Sequence, residues 1–180
     1  MKFRPTNIAG VVEILPELRE DARGGFSRAF CAEEFAAAGL PFAVVQANVS
    51  SNRVRGTLRG LHWQAAPAEE AKIVRAVAGR VWDVAVDLRP DSPTRGRWTA
   101  VELDARRGNA CHIPVGCAHG FLTLEDGSDL LYLMGTAYRA ELQRGARWDD
   151  PAFAIEWPFA PVVIAERDRS FADWRWGAGG

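Results

Sequence analysis

The chain has 180 residues, 48% apolar and 25% charged, the make-up of one soluble domain expected to span 1–180 and to bury about two thirds of its unfolded surface. Its 22 Lys and Arg nearly cancel 23 Asp and Glu, so neither nucleic acid nor a membrane surface is expected as a partner, although a local basic pocket is allowed. The opening MKFRPTNIAGVVEI lacks a signal-peptide stretch, no window is apolar enough to cross a bilayer, and Cys31, Cys111 and Cys117 are an odd count, so buried thiols in a reducing cytoplasm are expected.

In chain order, helical patterning is confined to a short stretch near 32–38 and a turn or two near the C-terminus. From 72 onward the apolar residues alternate with period two. KIVRAVAGRV (72–81) puts Lys72, Val74 and Ala76 on one face. VWDVAVDL (81–88) puts Trp82, Val84, Val86 and Leu88 on one face and Val81, Asp83, Ala85 and Asp87 on the other. RPDSP (89–93) is a turn, 98–103 is a strand, and 120–124 and 129–135 read as a hairpin closed by Glu125, Asp126, Gly127 and Ser128. Tyr132 shares a face there with Leu130 and Met134. The Gly-rich end after Trp176 carries no pattern. Many short strands at this spacing predict an all-β sandwich or barrel, of which a jelly roll is one closed solution.

Three histidines occur, and two sit in notable strings. GTLRGLHWQ (56–64) contains His62, and GNACHIPVGCAH (108–119) ends on His119. The two resemble the N- and C-terminal motifs of cupins, which implies a small jelly roll with an internal pocket. Where a metal-binding cupin offers a second His and a Glu, this chain has Gln64 and Lys72. An ammonium has no lone pair to give and repels a divalent cation, so neither a metal nor a cofactor is expected. Cys111, His112 and Cys117 lack the further ligand pair of a zinc site, and His112 is read as structural. The turn at Asp149, Asp150 and Pro151, the Asp87–Arg89 pair and most of the seven tryptophans are likewise read as structural.

Longer strings narrow the resemblance. QANVS (46–50), GTLRGLHWQ (56–64), AKIVR (71–75), DVAVDLR (83–89), IPVGCAHGF (113–121) and RWDDP (147–151) occur in this order. Together they resemble the dTDP-4-dehydrorhamnose 3,5-epimerase family over about residues 1–172. That implies inversion at carbons flanking the C4 ketone of a nucleotide-linked 4-keto-6-deoxy sugar. Such chemistry needs a base of near-neutral pKa, a group to stabilise the enolate oxygen, and an acid on the far face of the ring.

By resemblance His62 is the base and Asp168, in AERDR (165–169), its carboxylate partner. Lys72 is the oxyanion stabiliser, Tyr132 the far-face acid, and His119 with Asp83 a second pair near the sugar. Arg23, Phe26, Gln46, Asn48, Arg59 and Tyr138 fall to the nucleotide, and a homodimer with an exchanged strand is implied. Two departures bear on the exact substrate: Arg28 stands where many members carry Glu, and the 51–55 loop looks a residue longer. Regular alternation would turn Arg59 away from His62, so a bulge or a subunit boundary is required. The competing readings are an epimerase acting at one carbon, a ketoisomerase, a metal-dependent cupin oxygenase and a non-catalytic nucleotide-sugar binder.

Overall fold

The computed structural model describes residues 1–177, so the last part of the Gly-rich end, 178–180, lies outside the described residues. The strands are β1 (Lys2–Pro5), β2 (Val12–Leu15), β3 (Arg19–Asp21), β4 (Gly24–Phe26), β5 (Gln46–Asn52), β6 (Thr57–Gln64), β7 (Lys72–Ala78), β8 (Arg80–Asp87), β9 (Trp98–Asp104), β10 (Ala110–Ile113), β11 (Cys117–Thr123), β12 (Ser128–Met134), β13 (Gln143–Gly145) and β14 (Val163–Ile164). Helix is limited to α1 (Ala32–Ala37), α2 (Glu166–Arg169) and a 3-10 turn at Ala140–Leu142. None of these is long and apolar enough to cross a membrane.

One sheet has the order β1-β2-β10-β7-β12-β5. The second has the order β13-β6-β11-β8-β9, with β14 added parallel to β6. The β3–β4 hairpin stands apart as its own two-stranded ribbon. The two sheets pack face to face as a cupin-like jelly roll, and alternation along each strand decides what enters the core. Val74, Ala76 and Leu130 from the first sheet meet Val81, Ala85, Leu103 and Phe121 from the second. On the outer side of the second sheet, Val84 and Val86 pack with Leu61, Trp63, Phe153 and Trp174. Part of the first sheet's outer side is covered by α1, whose Phe35 packs on Ile14, Phe42 and Ile73. The two faces read from VWDVAVDL are therefore the inner and outer faces of β8.

The hairpin expected at 120–135 is not formed, although both strands exist. β11 lies between β6 and β8 in the second sheet, whereas β12 lies between β7 and β5 in the first. The turn carries the chain across the core from one sheet to the other. The stretch read as 72–81 divides in the same way at Gly79, where β7 of the first sheet gives way to β8 of the second. Gly79 has φ +63°, and a Cβ there would lie 2.9 Å from Ser128 Cα, so the two crossings touch and only glycine fits.

Two of the three cysteines and His112 are buried as expected, while Cys31 is half-buried. All three cysteines are free; Cys111 and Cys117 are buried, and burial pushes the Cys117 thiol up to about 12. His112 bonds Gly10 O through Nδ1 at 2.9 Å.

The Asp87–Arg89 pair anchors the loop after β8. Asp87 is fully buried and accepts from Arg89 Nε at 2.8 Å, Arg89 Nη2 at 2.8 Å and Thr94 Oγ1 at 2.6 Å. Burial pushes its pKa up, but these hydrogen bonds outweigh that and hold it at about 2. A carboxylate depressed in the folded state stabilises the fold above its unfolded pKa of about 4, and that stability is lost as pH falls to about 2. The effect is about 2 kcal/mol. Asp87→Asn should lose about that much stability at pH 7 and lack this part of the acid-induced loss, as urea unfolding across pH measures.

Candidate active site

A cavity of about 720 Å³ opens between the two sheets. Its walls come from both: Arg59, His62 and His119 from the second sheet, and Lys72, Tyr132, Gln46 and Asn48 from the first. A larger groove, about 920 Å³, lies outside, along β1, β2 and β9. Its buried carboxylate, Glu13, is already engaged by Arg4, Arg107 and Asn109, and no histidine lines it. The acid–base groups are in the smaller cavity.

His62 Nε2 lies 2.8 Å from Asp168 Oδ1. The second oxygen of Asp168 accepts from the Gly60 amide at 3.1 Å, tying α2 to β6. Burial pushes the Asp168 carboxyl up, but the hydrogen bond and charge of His62, with the Gly60 amide, hold its pKa below the usual value. A carboxylate on Nε2 fixes the tautomer that leaves the lone pair on Nδ1 and stabilises the imidazolium once formed. His119 Nε2 lies 2.7 Å from Asp83 Oδ1, and both side chains are buried. His119 is the ladder partner of His62, so the two imidazole–carboxylate pairs stand side by side.

Tyr132 faces them from β12, its ring edge-on to His119 with centroids 5.8 Å apart. Its hydroxyl has no hydrogen-bond partner among the described residues. Burial, reinforced by the charge of Asp83 and opposed by Arg59, pushes its pKa well above 10. Tyr132 therefore stays a neutral proton donor.

The Arg59 conflict is resolved within the chain. His119 pairs with His62 and Phe121 with Arg59, so two residues of β11 span three of β6. This bulge places Arg59 and His62 on the same face. It depends on Gly60, whose φ is +117° and whose Cβ would lie 2.7 Å from His119 O. Arg59 Nε then donates to Asn52 Oδ1 at 2.8 Å.

At the mouth, Gln46 bonds Asn48 at 3.1 Å and accepts from the Tyr138 amide at 3.1 Å, while Tyr138 OH donates to Gln143 at 2.7 Å. Arg23 and Phe26 are not brought to the cavity. They sit on the β3–β4 hairpin, where Arg23 pairs with Asp21 at 2.6 Å and Phe26 is 76% exposed. Arg28, the departure noted above, pairs with Glu34.

Among the lining residues not anticipated for the site, Glu70, Gln143 and Arg167 bring charged or amide side chains. Arg167 was findable as the neighbour of Asp168. Glu70 was hidden in a polar run, PAEEA, that reads as solvated loop.

The cupin metal positions do not fit a cation. The Gln64 amide is engaged by backbone, donating to Ala68 O and to Ala137 O (3.2 Å) and accepting from Arg139 N (2.6 Å). Lys72 contributes an ammonium, paired with Glu70 at 2.6 Å. Among the described residues no group of three or more His, Cys, Asp or Glu could hold a metal.

A jelly roll that sets carboxylate-fixed imidazoles on one sheet against a phenol and an ammonium on the other defines an acid–base isomerase. Comparison with known proteins agrees. The family model described as dTDP-4-dehydrorhamnose 3,5-epimerase matches residues 5–175. The dTDP-4-dehydrorhamnose 3,5-epimerase of Sinorhizobium fredii is 41% identical over 171 residues, 94% of this chain and 88% of that protein. The dTDP-4-dehydrorhamnose 3-epimerase of Streptomyces niveus is 41% identical over 170 residues, 94% of this chain and 82% of that protein. A solved structure of the Legionella pneumophila dTDP-6-deoxy-D-glucose-3,5-epimerase, in complex with dTDP-4-keto-L-rhamnose, superposes with a TM-score of 0.87 at 36% identity, covering 93% of this chain and 89% of that one. The chain belongs to the dTDP-4-dehydrorhamnose 3,5-epimerase family and is an isomerase.

The bulge gives a direct prediction. Gly60→Ala should destabilise the fold by about 2 kcal/mol or more and abolish activity, because the new methyl drives against β11. Gly39, at φ +75° with open space around it, serves as control. Gly39→Ala should cost about 1 kcal/mol and leave activity intact; urea unfolding and turnover assays compare the two.

Proposed function

We propose that this one-domain enzyme inverts C3, C5 or both in a dTDP-linked 4-keto-6-deoxyhexose, by proton removal and return with no metal taking part. The observation that carries this reading is the placement of His62 and Tyr132 on opposing sheets of one cavity.

His62 removes the proton next to the ketone as the C–H electron pair becomes a C=C bond and the C4 oxygen becomes an enolate. The Lys72 ammonium stabilises that oxygen, a contribution typically about 3–4 kcal/mol in a water-poor site. Collapse of the enolate takes a proton from Tyr132 on the opposite face, and the carbon inverts. His119, held by the buried Asp83, lines the sugar beside them. The sugar diphosphate is held by Arg59 and Arg167, and Gln46, Asn48 and Tyr138 meet the nucleoside at the mouth.

Arg23 and Phe26 complete the nucleotide site from a second copy. Neither residue lines its own cavity, and the outer face of the first sheet leaves Val49 64% and Val77 50% exposed, an apolar surface suited to a homodimer. Three free cysteines suit a cytoplasmic enzyme.

Whether one or two carbons invert is read from label. Incubation with dTDP-4-keto-6-deoxyglucose in heavy water should place deuterium at C3, C5 or both, followed by NMR. His62→Asn should abolish both label uptake and inversion, a loss of roughly 10²–10⁴ in rate or more. In Tyr132→Phe the enolate still forms and is reprotonated from the side it left, so exchange should outlast inversion. Equal loss of both signals would remove Tyr132 from the acid's role. No label with any 4-keto sugar nucleotide would overturn the epimerase reading.

A further inference from the structure

The mechanism above uses Lys72 but gives no task to the group that touches it. Glu70 Oε1 lies 2.6 Å from Lys72 Nζ, and both side chains are almost wholly buried, at 9% and 6% exposure. Both line the cavity. This is the one hydrogen bond that the ammonium makes among the described residues, so two of its three N–H donors remain for a ligand.

The backbone around Glu70 is held at three points. Ala68 O accepts from the Gln64 side chain, Glu69 O accepts from Thr136 Oγ1 at 2.8 Å, and Ala71 O accepts from Gly135 N at 2.9 Å. A short segment that reads as solvated loop is thus fastened to the ends of β6 and β12, and its one inward carboxylate meets the one lysine of the cavity.

Burial alone disfavours a charged amine, and a flexible four-carbon stem carries no intrinsic aim. A fixed carboxylate answers both problems. It offers the buried amine an acceptor of opposite formal charge, and it occupies one donor so that the other two point elsewhere. We propose that Glu70 is the positioning residue of the reaction, holding Lys72 directed at the C4 oxygen of the sugar.

The inference rests on the epimerase reading, so wild-type deuterium uptake is measured alongside every variant. Glu70→Gln keeps an acceptor oxygen without the charge, and Glu70→Ala removes both. Thermal unfolding and circular dichroism establish that each is folded. If Glu70 positions Lys72, kcat falls roughly tenfold in Glu70→Gln and roughly a hundredfold in Glu70→Ala, while KM moves less than about threefold, because the interaction matters in the transition state. In a Lys72→Met background, Glu70→Gln then produces no further loss, since its effect passes through the missing ammonium. Unchanged kcat in both single variants overturns the inference, as does a full additional loss in the Lys72→Met background. Absence of label with the wild-type protein is a separate result and overturns the epimerase reading itself.

Discussion

The close approach of β6 and β11 at Gly60 and Gly120 is the contact on which the site depends. A Cβ on Gly120 would lie 2.9 Å from Arg59 O, and one on Gly60 would lie 2.7 Å from His119 O. With both side chains absent, β6 takes in one extra residue. That residue changes the phase of the strand, so Arg59 and His62 both enter the cavity and the Gly60 amide meets Asp168. One local irregularity thereby sets Arg59, His62 and the carboxylate that His62 meets, Asp168. A regular strand would deliver one of Arg59 and His62 to the cavity and turn the other away.

The electrostatics of the cavity follow from pairing. Its buried carboxylates each have a hydrogen-bonding partner: Asp168 with His62, Asp83 with His119, Glu70 with Lys72. Unpaired, such charges would cost several kcal/mol each to bury. Tyr132 is the exception, held neutral by burial and by the nearby Asp83 carboxylate. A site that keeps a phenol protonated on one sheet while fixing imidazole tautomers with carboxylates on the other separates a proton donor from groups able to accept one. Inversion at a carbon between them requires that separation.

Alternation along β7, β8 and β12 was legible in the sequence as the residues that share each face, although for β8 it did not say which face turns inward. Strand partners were not. A period of two records faces but carries no information about which strand lies alongside, and the turn chemistry of Glu125–Ser128 suits a crossing between sheets as well as a hairpin. The site residues on β6, β7, β11 and β12 were legible through their strings, and they meet in one cavity. Glu70 was missed because a carboxylate in a polar run is normally solvated; only the three backbone bonds around it turn it inward. Arg23 and Phe26 carry motif signal yet stay outside the cavity of their own chain, since a string does not record where in the fold its residues end up.

The most direct measurement is a crystal structure of the His62→Asn variant with dTDP-4-keto-6-deoxyglucose bound, in which the substrate is retained because no base removes its proton. The account predicts the sugar ring between the sheets, its C4 oxygen about 3 Å from Lys72 Nζ, with residue 62 and the Tyr132 hydroxyl on opposite faces of the ring. A sugar bound in the outer groove along β1 and β9, or with both groups on the same face, would contradict it.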